Sequence, residues 1–450
     1  MYRHQSHLID LWFEQQTHKP LVLRGARQVG KSTLIRLFAE QRKLELVELN
    51  FERNPEYADL FASNDPKQIV AAMRLMLNKS LRQGSSILFL DEIQAAPKTL
   101  ASLRYFYEEM PNLHIIAAGS LLDFELASPS FSMPVGRISY MHLHPMNFTE
   151  FLRAVGEMSL AEYIETWQID DDLPAPLHGK LMGLLRQCMA IGGMPEVVKS
   201  FAELSDYRQA EQIKQDLLAT FTDDFAKYAR NQDQELIRLA FRKAPTLIGR
   251  KVKYSEINKG MPTPRVAQAL NQLDMARVIH KVLRSAANGI PLSAEENIKF
   301  LKLLFLDVGL VSTMMNVSWQ ALQEDLLLIN QGALAEQWVG QELLSSLDAH
   351  LQPHLHYWAR EAASSSAELD YVIEGDQPVA VEVKAGKSGS LKSLHLFIKE
   401  KRSPVAVRLN ADIPSMMSDT HTLPDGSSRS YQLLSLPLYM AGQVRRLISS

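Results

Sequence analysis

The chain has 450 residues, with 48 Lys and Arg against 51 Asp and Glu and a net charge of −3. A composition of 46% hydrophobic and 22% charged residues excludes a mostly disordered chain, a collagen-like repeat and a coiled-coil rod. The single cysteine, Cys188, excludes a disulfide framework and a Cys-rich zinc site, and it fits a reducing compartment.

No apolar run approaches the ~18 residues of a membrane span. The opening MYRHQSHLIDLWFEQQ puts charged and polar residues where a signal peptide has its apolar core. The sequence therefore predicts a cytoplasmic protein with no membrane partner. Its length suggests about three domains.

In chain order, Leu21 to Leu23 reads as a short strand ending in a Gly-rich turn, and Lys31 to Glu40 as a helix. Leu44 to Leu49, Ile87 to Leu90, His114 to Ala118 and Ile138 to Leu143 read as further strands. Helical patterns fill Pro66 to Leu81 and Thr99 to Glu109. Such alternation predicts an α/β fold with a parallel sheet covered on both faces. From Asn147 to about Phe241 the pattern is helical, broken by Gly192-Gly193-Met194-Pro195. A helix-turn-helix with a strand pair follows, and from Gly332 a helix leads into short alternating strands. The Ser-rich stretch Ser364 to Ser366 reads as a loop, and there is no internal repeat.

Gly25-Ala26-Arg27-Gln28-Val29-Gly30-Lys31-Ser32 fits the phosphate-loop pattern G-x-x-x-x-G-K-[ST], after a strand and before a helix. The glycines let backbone N–H groups converge on a phosphate. Lys31 is expected at the β/γ oxygens of ATP, the Ser32 hydroxyl on Mg²⁺, and Thr33 beside them. Ile87 to Leu90 then delivers Asp91 and Glu92 at a strand's carboxyl end, where α/β sheets place their ligands. Asp91 is expected to hold Mg²⁺ through water, and Glu92 to polarise the attacking water, which marks hydrolysis rather than binding alone. Ser120, at the next strand end, reads either as a sensor of the γ-phosphate or as a plain turn. Arg137 reads either as a surface arginine or as one reaching the γ-phosphate, in cis or from a neighbouring subunit of a homo-oligomer.

Between Arg242 and Arg284 ten Lys/Arg face two acids, Glu256 and Asp274, a local balance of +8. Tyr254 to Ile257, a turn, and a second helix opened by Thr263-Pro264-Arg265 precede a strand at Val278 to Val282. This is the order of a winged helix, with Arg265 and Lys281 as nucleic-acid contacts. The same architecture also serves protein docking or forms rigid lids.

Leu369 to Ile373 and Val379 to Lys384 read as a hairpin turning at Asp376, which sets Asp370 opposite Glu382 with Lys384 on the same face. Facing carboxylates repel unless a cation lies between them. A second Mg²⁺ or Mn²⁺ on Asp370 and Glu382, with Glu336 from the helix Ala333 to Leu347 and Lys384 orienting a water, would be the site of a metal-dependent nuclease. The alternative is a charge-paired face in which Lys384 neutralises its neighbours. His350, His354 and His356 lack a helix-spaced partner and read as structural or surface residues. Cys188 reads as core.

These segments together resemble the AAA-type ATPases of bacteria and archaea that carry a C-terminal domain classed with PD-(D/E)xK nuclease-like folds. The marks, in order, are Arg24 to Lys31, Leu90-Asp91-Glu92-Ile93-Gln94, Ala118-Gly119-Ser120, Gly136-Arg137-Ile138 and Pro145 to Glu150. Gly192 to Pro195, Phe305-Leu306-Asp307-Val308-Gly309-Leu310, Glu368 to Tyr371 and Glu382-Val383-Lys384 follow. The resemblance implies an ATPase core (1–150), a helical lid (151–241), a winged helix with its connector (242–310) and a nuclease-like α/β domain (311–450). It implies a nucleotide-site role for Arg137 and a site at Asp370, Glu382 and Lys384. Ser120 stands where many such proteins have Asn, and Ser32 where Thr is commoner; both keep a hydroxyl. Two functions follow as expectations: a DNA-linked ATPase with a nuclease-like end, or an ATP-driven switch that docks a protein partner.

Overall fold

The computed structural model describes residues 1–120, 122–126, 136–225, 231–324, 331–362, 365–386, 391–401, 403–422 and 428–449. Five strands, β1 (Leu21–Arg24), β2 (Glu45–Asn50), β3 (Ser86–Asp91), β4 (His114–Gly119) and β5 (Ser139–His142), form one sheet in the order β2-β3-β4-β1-β5. Every pairing in it is parallel. β3 and β4 are buried along their whole length, as strands covered on both faces must be. The helices His4–Phe13 and Lys31–Gln41 cover one face through Ile9, Trp12, Leu34, Ile35 and Phe38. Pro66–Leu77 and Pro97–Glu109 cover the other through Ile69, Met73, Leu100, Leu103 and Phe106.

The helix expected to reach Leu81 stops at Leu77. Asn78 follows it at φ 50, the left-handed cap that asparagine tolerates best after glycine. The helical region runs through Phe148–Ala154, Met158–Thr166, Ala175–Ile191, Pro195–Leu204, Tyr207–Asp224 and Asn231–Lys243. Its first helix opens on a reciprocal cap between Asn147 and Glu150. No helix among the described residues is long and apolar enough to cross a membrane.

The helix-turn-helix elements form as Tyr254–Ile257 and Thr263–Met275, followed by β6 (Ile279–Ser285) and β7 (Glu296–Phe305). This strand pair does not stand apart. β6 pairs in parallel with β8 (Leu355–Ala362), Val282 opposite Leu355. β9 (Ser365–Glu374), β10 (Pro378–Val383), β11 (Val405–Asn410), β12 (Ser415–Thr422) and β13 (Ser428–Pro437) complete a mixed sheet of order β12-β13-β11-β10-β9-β8-β6-β7. One sheet therefore crosses the division expected at residue 310. Ser365 and Ser366 belong to β9 rather than to a loop, while Ser364 lies outside the described residues.

The helix expected from Ala333 forms as Gln331–Ser345 on one face of this sheet, and Lys392–Lys401 lies on the other. Both faces are thus apolar layers. A register shift between His356 and Trp358 against β9 puts Leu369 in the same layer as Val372 and Ala380, not beside Tyr371 as strict alternation predicts.

The break at Gly192 to Pro195 is where the lid meets the C-terminal half. Asp307, fully buried, accepts from the Gly193 amide at 2.6 Å and, as the cap of helix Val308–Met314, from the Leu310 amide at 3.1 Å. A side chain at Gly192, at φ 85, would collide with that carboxylate, and one at Gly193 with the Met146 backbone. Asp307→Ala is expected to lower stability by about 3 kcal/mol, because two buried amides lose their acceptor; a urea titration followed by circular dichroism measures this.

Candidate nucleotide site and the C-terminal carboxylate cluster

Where β1 ends, the chain turns through Gly25, Gln28 at φ 64 and Gly30 at φ 91 into helix Lys31–Gln41. A side chain at Gly25 would strike the Leu143 carbonyl, so the close wrap of the loop requires glycine there. Lys31 is buried, and its Nζ donates to the carbonyls of Gly25 at 2.9 Å and Ala26 at 2.7 Å. Burial pulls its pKa down to about 8 against the attraction of Glu92 and Asp91. An incoming phosphate would complete the coordination of an ammonium that donates to two carbonyls.

The loop brings Ser32 onto the end of β3. Ser32 Oγ donates to Asp91 Oδ1 at 2.9 Å, and Asn50 Nδ2 to Asp91 Oδ2 at 3.1 Å. A hydroxyl and a carboxylate converging on one point beside a phosphate loop are the oxygen donors that Mg²⁺ takes; these residues fit that ion. Burial raises the Asp91 pKa, and the Ser32 hydrogen bond opposes it. Glu92, just past the strand, sits at φ 50 and accepts from Gln94 Nε2 at 2.6 Å. A non-glycine residue in that conformation is strained, and strain of this kind collects at functional sites. Ser120 is buried at the end of β4, between the phosphate loop and Asp91 in the strand order.

Arg137 is not part of this group. It lies two residues before β5, whose first residue pairs with Leu21 at the start of β1, and that is the edge of the sheet opposite the phosphate loop. There it donates to Glu108 at 2.9 Å and stacks over Tyr107. The strand direction rules out the cis reading: a residue entering a parallel strand faces away from the carboxyl edge.

Several residues at the site carry no sequence motif. A cavity of about 830 Å³ opens beside Gly30 and Thr33, with Tyr2, Arg3, Leu37 and Pro195 in its wall. Arg3 ties this wall to the loop, donating to the Val29 carbonyl at 2.9 Å and the His144 carbonyl at 2.6 Å while pairing with Glu150. Such bonds to backbone carbonyls depend on tertiary placement and leave no spacing signal.

In the C-terminal sheet the pairing Val381 with Tyr371 and Ala380 with Val372 is the expected register. The Val383 amide donates to Asp370 Oδ2 at 2.8 Å, and Lys384 Nζ meets Glu382 Oε1 at 2.5 Å. Glu336, on helix Gln331–Ser345, joins them. Burial first and Asp370 second raise its pKa well above the usual range, and the same two causes raise Glu382 to about 7.

The cation between these carboxylates belongs to the protein. Lys302 of β7 is 3% exposed, and its Nζ lies 2.8 Å from Glu368, 3.6 Å from Glu336 and 3.7 Å from Asp370. Burial opposes its charge, but the three acids overcome that and hold it protonated. Among the described residues no group of three His, Cys, Asp or Glu side chains is arranged to hold a metal ion. Sequence reasoning missed Lys302 because it stands in a strand, β7, about 70 residues before the hairpin, and only the fold brings the two together.

The basic stretch is likewise paired. Arg265 meets Asp233 at 2.8 Å, Lys281 meets Asp274 at 3.2 Å and Asn271 at 2.6 Å, and Arg277 meets Asp123 at 2.9 Å. Lys251 lies 3.5 Å from Glu368. Much of the +8 balance therefore meets acids from inside and outside the stretch. His350 bonds the Tyr140 carbonyl and His356 pairs with Glu296, and Cys188 is buried.

The family model of the AAA domain matches residues 17–152. Models of two domains of unknown function, DUF8612 and DUF4143, match residues 182–321 and 331–421. No curated protein matches the chain. Among solved structures, the Walker-type ATPase PABY2304 of Pyrococcus abyssi is 17% identical with a TM-score of 0.44, covering 70% of this chain and 95% of that one. The ORC1 protein of Aeropyrum pernix, solved in complex with DNA, is 13% identical at 0.31, covering 71% and 94%. The RuvB Holliday junction branch migration motor of Thermotoga maritima is 13% identical at 0.31, covering 63% and 90%. Likenesses this distant transfer no function. The family match and the geometry of the phosphate loop together mark residues 17–152 as an AAA domain built around a P-loop.

Proposed function

We propose that the chain is an ATP-hydrolysing conformational switch whose C-terminal half docks a protein partner. One observation carries this reading. The cavity beside the phosphate loop has Pro195 in its wall, and two residues earlier Gly193 is held by Asp307 of the C-terminal half. A nucleotide that fills the cavity presses on a loop that the other half grips.

In this reading the adenosine enters the cavity, and the phosphates lie along the backbone from Gly25 to Ser32 with Lys31 on the β/γ oxygens. Ser32 and Asp91 would hold Mg²⁺, which would neutralise phosphate charge. Glu92 takes the proton of the attacking water, whose oxygen bonds to the γ-phosphorus as the bond to the β,γ-bridging oxygen breaks and ADP departs with that electron pair. Gln94 fixes the Glu92 carboxylate. Arg137 serves a nucleotide only in trans, within a homo-oligomer.

A second reading keeps the DNA-linked, nuclease-like end. Its support is the convergence of Glu336, Asp370, Glu382 and Lys384; Arg265 and Lys281 would then be its nucleic-acid contacts. It requires Lys302 to yield its place to Mg²⁺ or Mn²⁺, and Arg265 and Lys281 to leave their acidic partners. Calorimetry with Mn²⁺ and a cleavage assay on DNA and RNA decide between the two: the switch reading expects neither metal binding at this cluster nor cleavage.

Lys31→Ala is expected to abolish ATP binding. Glu92→Gln is expected to retain it while hydrolysis falls by about 10²-fold or more, as loss of a general base does; filter binding and phosphate release measure the two. Lys302→Met is expected to cost about 3–5 kcal/mol by leaving buried carboxylates without their cation. That loss is larger at pH 8 than at pH 5.5, because protonation relieves the repulsion. In the wild type, Glu382 has a folded pKa near 7 against an ordinary 4.5. It keeps over pH 4.5–7 a proton that it would lose unfolded, so its contribution to stability falls as pH rises through that window. Melting temperatures of both proteins at the two pH values test the signs.

A further inference from the structure

With Arg137 at the far edge of the sheet, Lys31 and the Mg²⁺ expected on Ser32 and Asp91 leave open which arginine meets the developing charge on a γ-phosphate. Arg27 is two residues into the phosphate loop. Its Nε lies 3.3 Å from Ser120 Oγ, at the end of the strand between β1 and β3, the strands that carry the loop and Asp91. Its charge is near enough to Lys31 to oppose that ammonium's protonation. The far side of the guanidinium does not face the loop. Nη1 meets Asp224, 2.7 Å from Oδ1 and 2.6 Å from Oδ2.

Asp224 is the last residue of helix Tyr207–Asp224, where a carboxylate opposes the helix dipole. Both side chains are largely buried, 19% and 8% exposed. The pair thus joins the phosphate loop to the helical region at a point where the carboxylate is disfavoured by its own helix and is offset by an arginine from elsewhere.

We propose that Arg27 is a catalytic arginine acting in cis on the γ-phosphate, and that Asp224 holds it aside until ATP recruits it. The proposal rests on the ATPase reading above. A guanidinium exchanges a carboxylate for a phosphate readily, because each offers its fork two oxygens. A triphosphate offers more charge than Asp224, and a diphosphate lacks the oxygens that Arg27 would reach. The exchange would release the end of helix Tyr207–Asp224, so that the helical region reads ATP against ADP. In the reaction Arg27 binds the γ-oxygens as water adds to the phosphorus and ADP leaves with the bridging electron pair. The proton still goes to Glu92, and Arg27 transfers none.

The test uses full-length protein with Arg27→Gln and Asp224→Asn, each checked for the native melting transition. ATP and ADP affinities are measured by calorimetry and hydrolysis by phosphate release. Arg27→Gln is expected to lose its preference for ATP over ADP and to hydrolyse about 10³-fold more slowly, the lower end of what a transition-state arginine supplies. Asp224→Asn is expected to bind ATP several-fold more tightly and to keep hydrolysing it, since nothing competes for the guanidinium. If both variants lose hydrolysis alike, the pair is only a pin between loop and helix and the proposal is overturned; wild-type hydrolysis by Arg27→Gln overturns it too. A wild-type chain that binds neither nucleotide removes the ATPase reading and this proposal together, whereas one that binds ATP with an indifferent Arg27 removes the proposal alone.

Discussion

The 2.6 Å hydrogen bond from the Gly193 amide to the buried Asp307 carboxylate holds the two halves of this chain in one packing arrangement. Gly193 in turn accepts from the Met146 amide, so the segment leaving β5, the break in the lid and the strand end before helix Val308–Met314 meet at one point. Neither glycine there can carry a side chain. A second set of ties comes from helix Gln331–Ser345. Gln337 bonds both the amide and the carbonyl of Phe305, Gln341 accepts from the Val308 amide, and Glu342 from the Phe148 amide. Burial raises the Glu342 pKa to about 8. The helix therefore buries polar side chains on backbone groups of both halves, and a movement of the lid loop must be absorbed by the C-terminal sheet.

The charges follow the same logic. A nearly neutral chain contains buried ions that find partners far away in sequence: Arg27 with Asp224, Arg24 and Arg277 with Asp123, Lys302 with Glu336, Glu368 and Asp370. Each ion alone would be costly to bury, so each pair fixes the relative placement of two elements. The basic stretch finds acids in several elements, Asp233, Asp274, Asp123 and, through Lys251, Glu368, while the acids near the hairpin meet Lys302. The field left over for a polyanion is correspondingly smaller.

The parts legible in the sequence are those whose signal is local. The phosphate loop, the apolar run before Asp91 and the hairpin register as far as Tyr371 and Val381 all rest on short-range patterns, and Ser32 and Asp91 do come together. Leu369 was misplaced by alternation because the shift that moves it lies in its pairing with β8. For Arg137 only the cis reading fails, because the pairing of Ser139 with Leu21 sets it at the start of the strands. Lys302, Arg3 and Asp224 were invisible because each acquires its role only from a contact made across the fold.

The claim that nucleotide occupancy reaches the C-terminal sheet is tested most directly by amide hydrogen exchange on Glu92→Gln, with and without ATP. The account predicts altered protection at residues 192–195 and also at 301–310, beyond the AAA domain. Changes confined to residues 17–152 would contradict it.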